Sequence, residues 1–369
     1  DQAVAAHPAP AAGDSQQPPP QRPRRVGVLV LSLLAVGVLG IAAAFTLPRQ
    51  PAAARHPPGP ARQVASASPA ASAGPVSRSS PAAGRWAPAT PITVPAVRSG
   101  NATVSGLSCP VAARCYAVDT AGDVLAAGAG GQWQVVASDP HGGLAGISCA
   151  TASACLAVDT SGYAMTLSQG SWAGPVLIDV RVGTLRAVSC ASASFCMTVD
   201  DGGNAFSYRG SAGWTAFTVA AGAPLDGVSC PASGTCVAVS ASGRAYTYDG
   251  VWTAGAPVGQ GLRLTGVSCA GPSFCAAIAA GGQAAVLAGG QWASTALGTT
   301  ARAIGCPAAG SCVAVDGHGG ALTYSHGRWS AVTRIGGGTA AQAISCASVT
   351  SCRAAGRGGD VLAYRPLPG

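Results

Sequence analysis

The sequence predicts an all-β fold: a seven-bladed β-propeller of four-stranded blades, closed by an N-terminal strand and preceded by one transmembrane helix. Three observations predict it. Fourteen cysteines form seven C-x₅-C pairs that recur every 37–41 residues, and such a period with strand-like sequence marks a stacked or radial array of one unit. Each period holds four short β-prone segments bounded by turn residues, the content of one propeller blade. Seven Trp occur, at 86, 133, 172, 214, 252, 292 and 329, one per unit, and the first of them stands ahead of the first cysteine pair.

Along the chain, residues 1–25 are rich in Ala, Gln and Pro and include Pro18-Pro19-Pro20; they read as a disordered cytoplasmic juxtamembrane segment. Val26 to Leu47 is a run of 22 residues without charge. As a helix it would span about 33 Å, enough to cross a bilayer core. Residues 48–83 are Pro, Ala, Ser and Arg with almost no large apolar side chain, a disordered stalk. The chain opens on Asp1 without Met and is read as a piece of a longer protein.

Charge sorts with this organisation. All 21 basic residues are Arg; there is no Lys and no Glu. Residues 1–100 carry nine Arg and two Asp, whereas 101–369 carry twelve Arg and eleven Asp. The basic excess therefore flanks the apolar span and does not coat the folded part, which argues against a nucleic-acid partner. Arg22, Arg24 and Arg25 before the span are nearly balanced by Arg49, Arg55 and Arg62 after it, so positive charge alone leaves the orientation undecided. Fourteen regularly paired cysteines suit an oxidising compartment. They place the propeller, 84–369, outside the cytoplasm of a single-pass cell-membrane protein.

Each repeat runs through strands D, A, B and C. In one unit these are Trp214-Thr-Ala-Phe-Thr-Val, Gly227-Val228-Ser229-Cys230, Cys236-Val-Ala-Val-Ser240 and Arg244-Ala-Tyr-Thr-Tyr248. Strand A ends apolar-Ser-Cys in every unit but one, which reads Ile304-Gly305-Cys306. Strand B carries a small residue two places after its Cys, at Ala117, Ala157, Thr198, Ala238, Ala277, Ala314 and Ala354, as expected where blades converge. The B–C turns end in Gly, and five of them open on Asp or Ser: Asp119, Asp159, Asp200, Ser240 and Asp316. Such side chains accept turn amides, and Gly tolerates positive φ. One carboxylate per turn is too few for a calcium loop, so no metal is expected.

The cysteines are expected to bridge locally, Cys109–Cys115, Cys149–Cys155, Cys190–Cys196, Cys230–Cys236, Cys269–Cys275, Cys306–Cys312 and Cys346–Cys352. A C-x₅-C without a companion His cluster is a poor zinc site. The last unit ends at Asp360-Val-Leu-Ala-Tyr364 without a Trp strand of its own. Gly84-Arg-Trp86 is expected to supply that strand and join the termini. The Trp ring invites a sugar-stacking reading, but a Trp in the same place of every unit reads as packing between blades.

Recognition is expected from residues that vary between units in the D–A loops: Asp139, His141, Asp179, Arg181, Asp226, Arg263, Arg302 and Arg334. Catalysis has little support. Without Glu or Lys there is no glutamate acid–base pair, lysine Schiff base or P-loop, no Gly-x-Ser-x-Gly elbow is present, and no cofactor is implied. Tyr248-Asp249-Gly250-Val251-Trp252 is similar in part to the Asp-box of sialidases, yet the other units lack the Asp.

The unit seen at 227–252, Gly-Val-Ser-Cys-x₅-Cys-Val-Ala-Val followed by a Gly turn and Gly-x-Trp, resembles the Cys-paired repeats of actinobacterial extracytoplasmic β-propellers. A single-pass helix with a propeller outside also resembles membrane receptor serine/threonine kinases with propeller sensors. That resemblance implies a ligand- or partner-binding sensor, the C-terminal half of such a receptor, with any kinase upstream of Asp1. Two other readings stay open: a cell-wall glycan-binding lectin, and a degenerate propeller glycosidase or lyase.

Overall fold

The computed structural model describes residues 85–98, 102–128, 131–180, 183–259 and 261–365. The expected transmembrane span 26–47, the segments either side of it and Arg181 lie outside these. Among the described residues no helix is long and apolar enough to cross a membrane.

Seven antiparallel sheets form, one per repeat. Blade 4 shows the plan: strand A Leu225–Ala232, B Thr235–Ser240, C Arg244–Tyr248 and D Trp252–Pro257, each paired to the next. The A strands begin at Val104, Leu144, Leu185, Leu225, Leu264, Ala301 and Ala341, which number the blades 1 to 7. Each A strand packs on the A strands of both neighbours, with blade 7 against blade 1. The A strands therefore surround the axis and the D strands form the rim. The seven small residues of strand B, Ala117 to Ala354, are all fully buried, as the taper of the blades requires.

The cysteines lock the inner hairpins. All seven local disulfides form between strands A and B, with Cα atoms 3.9–4.1 Å apart. The serine that precedes the first cysteine in six of the seven units has a different task. Ser108 Oγ accepts the Cys149 amide of the next blade, and Ser148, Ser189, Ser229 and Ser268 do the same for Cys190, Cys230, Cys269 and Cys306, all at 2.9–3.0 Å. Ser345 of blade 7 accepts the Cys109 amide of blade 1 at 2.9 Å. The ring of inter-blade bonds is broken at one joint, where Gly305 replaces the serine facing Cys346.

That gap yields a prediction. A Cβ on Gly305 would lie 3.4 Å from Cys346 Sγ and 3.9 Å from its amide nitrogen, ordinary contact distances. Gly305→Ser should therefore complete the ring and stabilise the protein by about 1 kcal/mol through the bond, with a smaller gain from stiffening the unfolded chain. The denaturant midpoint should rise at unchanged m-value. No rise would mean that the Cys346 amide gains nothing from the hydroxyl.

The tryptophans pack as cross-strand partners. Trp86, Trp214, Trp252 and Trp329 face Tyr364, Tyr208, Tyr248 and Tyr324 on strand C, with ring centroids 5.2–5.5 Å apart. The indole nitrogens of Trp252 and Trp329 are buried without a hydrogen-bond partner among the described residues. These rings seal the seams between blades.

Closure follows the expected route. Arg85–Trp86 and Thr90–Pro91 pair with Asp360–Arg365, so the N-terminal segment is the outer strand of blade 7. A short helix, Pro95–Arg98, then leads to the first A strand. Ile92, Val94 and Val97 are buried against Val361, Val104 and Leu125. The first and last parts of the described propeller thus share one core cluster.

Candidate functional site

The D–A loops and B–C turns lie on one face. Their backbones are joined in every blade: Asp139 N bonds Gly122 O, Asp179 N bonds Gly162 O, and the pattern continues to Ile335 with Gly319 and Ile92 with Gly359. The turn glycines have positive φ, +84° at Gly203, where an added Cβ would sit 1.9 Å from Ala220 O. Glycine is required there for both reasons.

The turn carboxylates are structural. Asp119 Oδ1 accepts the amides of Ala121 and Asp123, Asp159 Oδ1 those of Ser161 and Tyr163, and Asp316 Oδ1 those of His318 and Gly320, at 2.6–3.0 Å. Their environments differ at the other oxygen. Burial pushes the Asp159 carboxyl above its ordinary value against the pull of the Tyr163 and Ser161 amides, and the Asp139 charge adds to the rise. Burial would raise Asp316 too, but the Thr299 hydroxyl, donating to its Oδ2 at 2.7 Å, and the Gly320 and His318 amides hold it below.

The residues singled out for recognition separate into three groups. Asp139 and Asp179 are buried. Asp139 Oδ1 accepts the His141 amide and faces its Nδ1 at 3.1 Å, while Asp179 Oδ2 accepts the Gly183 amide. They shape their loops. His141 is exposed and its ring lies flat on Tyr163, centroids 3.9 Å apart and 13° between planes.

Asp226 and Arg302 are not loop residues. The A strand is longer than Gly-apolar-Ser-Cys: it starts at Leu225 and Ala301, which are buried in the core, so the residues after them are second on an inner strand. Arg334 likewise falls in the short outer strand Thr333–Arg334, where its Nη1 donates to His318 O at 2.9 Å. Arg263 is exposed just before its A strand.

Second on each A strand, four places before the first cysteine, stand Ser105, Ala145, Arg186, Asp226, Thr265, Arg302 and Gln342. Every residue before them is buried, and none of the seven is. Because the A strands line the axis, these positions ring its mouth. Charge gathers on the arc from blade 3 to blade 6. Burial raises the Asp226 carboxyl, while Arg186 and Arg263 on its flanks draw it down and Asp201 pushes it up. Arg186 Nη2 lies 3.6 Å from Asp201 Oδ2. Arg302 and Gln342 both approach Gly317 in the blade 6 turn. Sequence reading missed Arg186, Asp201 and Gln342. Counting back a constant distance from each cysteine would have aligned Arg186 and Gln342 with Asp226 and Arg302.

No family model matches this sequence, and no curated protein matches it. Solved structures do match by shape. YCF48 bound to D1 peptide superposes with a TM-score of 0.61 at 15% identity, covering 76% of this chain and 96% of that one. A streptogramin B lyase structure gives 0.65 at 8% identity over 78% and 99%. The WD40 β-propeller domain of Doa1 gives 0.60 at 11% over 71% and 92%. What these likenesses share with the chain is its fold, a β-propeller built from repeats.

Proposed function

We propose that this chain is a membrane-anchored, extracytoplasmic sensor or binding domain that does no chemistry itself, and that it takes an acidic segment of a partner on its axial mouth. The observation that carries the reading is the arc of Arg186, Arg263 and Arg302, which outnumber the two carboxylates set among them, Asp226 and the Asp201 that lies against Arg186. These exposed cations share one strand position or border it, and they face one opening. A charged rim on a rigid ring of strands presents pre-set donors at little ordering cost. That a propeller of the same fold has been solved with a peptide bound supports a peptide partner. The apolar run 26–47 and the paired cysteines support the anchor and the compartment.

The test is titration of the full-length chain with a deca-aspartate peptide. Saturable binding should weaken with salt, and the double variant Arg263→Ala/Arg302→Ala should lose about tenfold or more in affinity. Binding that ignores both salt and the double variant would remove the axial mouth from the proposal. Non-reducing peptide mapping of the chain from its own host tests the compartment: seven local bridges are expected, and free thiols would overturn the outside placement.

A further inference from the structure

The seam between blades 1 and 2 differs from the one that follows it. It opens into a groove of about 750 Å³, within the range of small-molecule sites. The corresponding seam between blades 2 and 3 leaves only about 10 Å³. Two local features mark the first one. At the start of strand B, where blades 3 and 5 place the buried rings of Phe195 and Phe274, blade 1 has the exposed Arg114. The outer strand of blade 2, Ser171–Leu177, also has an irregular register between Ala173 and Val176.

The groove has an apolar floor and a polar rim. Met165 and Leu167 are buried beneath it. The half-buried Trp172 stands edge-on to Tyr116, with centroids 6.3 Å apart and 76° between planes. Arg114 lies over the Tyr116 ring at 5.3 Å and its Nε donates to the Tyr116 hydroxyl at 3.2 Å. That hydroxyl in turn donates to Ala152 O at 2.8 Å. The guanidinium is thereby held in place by one edge. Among the described residues, its two Nη groups have neither a hydrogen-bond partner nor an ion-pair partner. At the seam between blades 3 and 4 the comparable cation, Arg209, is turned onto the protein: it covers Phe195 and its Nη2 donates to Tyr248 at 2.8 Å.

Arg114 is the one charged residue among the described residues that line the groove, and the hydroxyls of Ser138, Ser153 and Ser171 stand along it, that of Ser138 donating to Asp123 Oδ1 and left to accept from a ligand. An oriented fork of free N–H donors fits a carboxylate. The walls include the outer strands Trp133–Ser138 and Ser171–Leu177, each paired along one edge only; the faces that these strands turn to the groove present side chains, so an extended peptide would find backbone partners at the rim but few inside. A ring with an apolar face, several hydroxyls and one carboxylate would find a partner for each. We propose that this groove is a second binding site, separate from the axial mouth, and that it takes an acidic saccharide of the uronic-acid class. In this arrangement the carboxylate sits on the Arg114 Nη groups, the sugar's C–H face on Trp172, and its hydroxyls on the serines.

Isothermal titration of the full-length chain with trigalacturonic acid, against neutral maltotriose, tests the site. Trigalacturonic acid should bind saturably and maltotriose about tenfold or more weakly, the difference of one charge-assisted contact. Arg114→Gln, an exposed change that leaves the core intact, should bring trigalacturonic acid down to the maltotriose level. Trp172→Ala should weaken both sugars, while Trp292→Ala, at the same place in blade 5, should leave both unchanged. Absence of saturable binding, equal binding of the two sugars, or indifference to Arg114→Gln would overturn the proposal. Binding lost in Arg263→Ala/Arg302→Ala but kept in Arg114→Gln would overturn it in favour of the axial mouth. Arg114-dependent binding of deca-aspartate in place of the sugar would overturn the saccharide assignment.

Discussion

Reduction of the seven disulfides is expected to unfold the propeller at room temperature. Each bridge closes a short loop, with its cysteines six residues apart. Loop entropy gives about 2 kcal/mol for each such loop. Seven of them together are on the order of the whole stability of a folded domain, about 5–15 kcal/mol. The blades offer little to replace that loss: strand B is lined with alanine, and charged residues make up only 9% of the chain. Far-UV circular dichroism with and without a phosphine reductant, with free thiols counted by mass spectrometry, measures the effect. A chain with fourteen free thiols that melts at the same temperature as the oxidised one would show that the bridges only decorate a stable fold. A single pair replaced by alanines, such as Cys230→Ala/Cys236→Ala, should cost about 2 kcal/mol from the loop, with an added cavity term because Cys236 is fully buried.

The second large effect is expected at the closure. Ile92 is fully buried and Val97 nearly so, and both lie against Gly359 in the B–C turn of blade 7. Ile92→Ala should cost about 2–5 kcal/mol, the usual range for emptying a buried aliphatic site. Deleting 85–94 should do more. It removes the outer strand of blade 7, leaves the ladder groups of Asp360–Arg365 unpaired and exposes Val361 and Leu362 at a sheet edge, a template for pairing with other chains. Self-association in size-exclusion chromatography and a lowered melting temperature are the expected results. A monomeric deletion variant with wild-type melting would mean that six complete blades and a three-stranded seventh close the ring unaided.

The fold was legible in the sequence because its signals are local and repeat. Each C-x₅-C marks one hairpin, each Gly-ended turn the next, and Trp86 without a preceding strand C marks the joint. The candidate site was less legible. Whether a polar residue faces the axis depends on where strand A begins, and that depends on the burial of Leu225 or Ala301, which a loop-like stretch of sequence does not announce. Asp139 and Asp179 looked like free loop charges because nothing in their spacing reveals the amides that they accept. The groove between blades 1 and 2 was not legible at all. It is lined by Arg114 and Trp172, which belong to different repeats and are brought together only by the packing of blade 1 on blade 2.

The strand that closes the ring is also the stretch through which everything upstream is attached. Arg85 and Trp86 pair with Arg365 and Tyr364, at the far end of the last ladder. Tension along the chain ahead of Arg85 therefore enters the molecule at its rim, on a strand held by hydrogen bonds and side-chain packing, with no covalent cross-link between it and blade 7. The inner hairpins, each cross-linked, lie beyond that first joint. A pull would peel the outer strand residue by residue and leave the seven bridged hairpins standing, so the propeller yields first at its attachment and last at its axis.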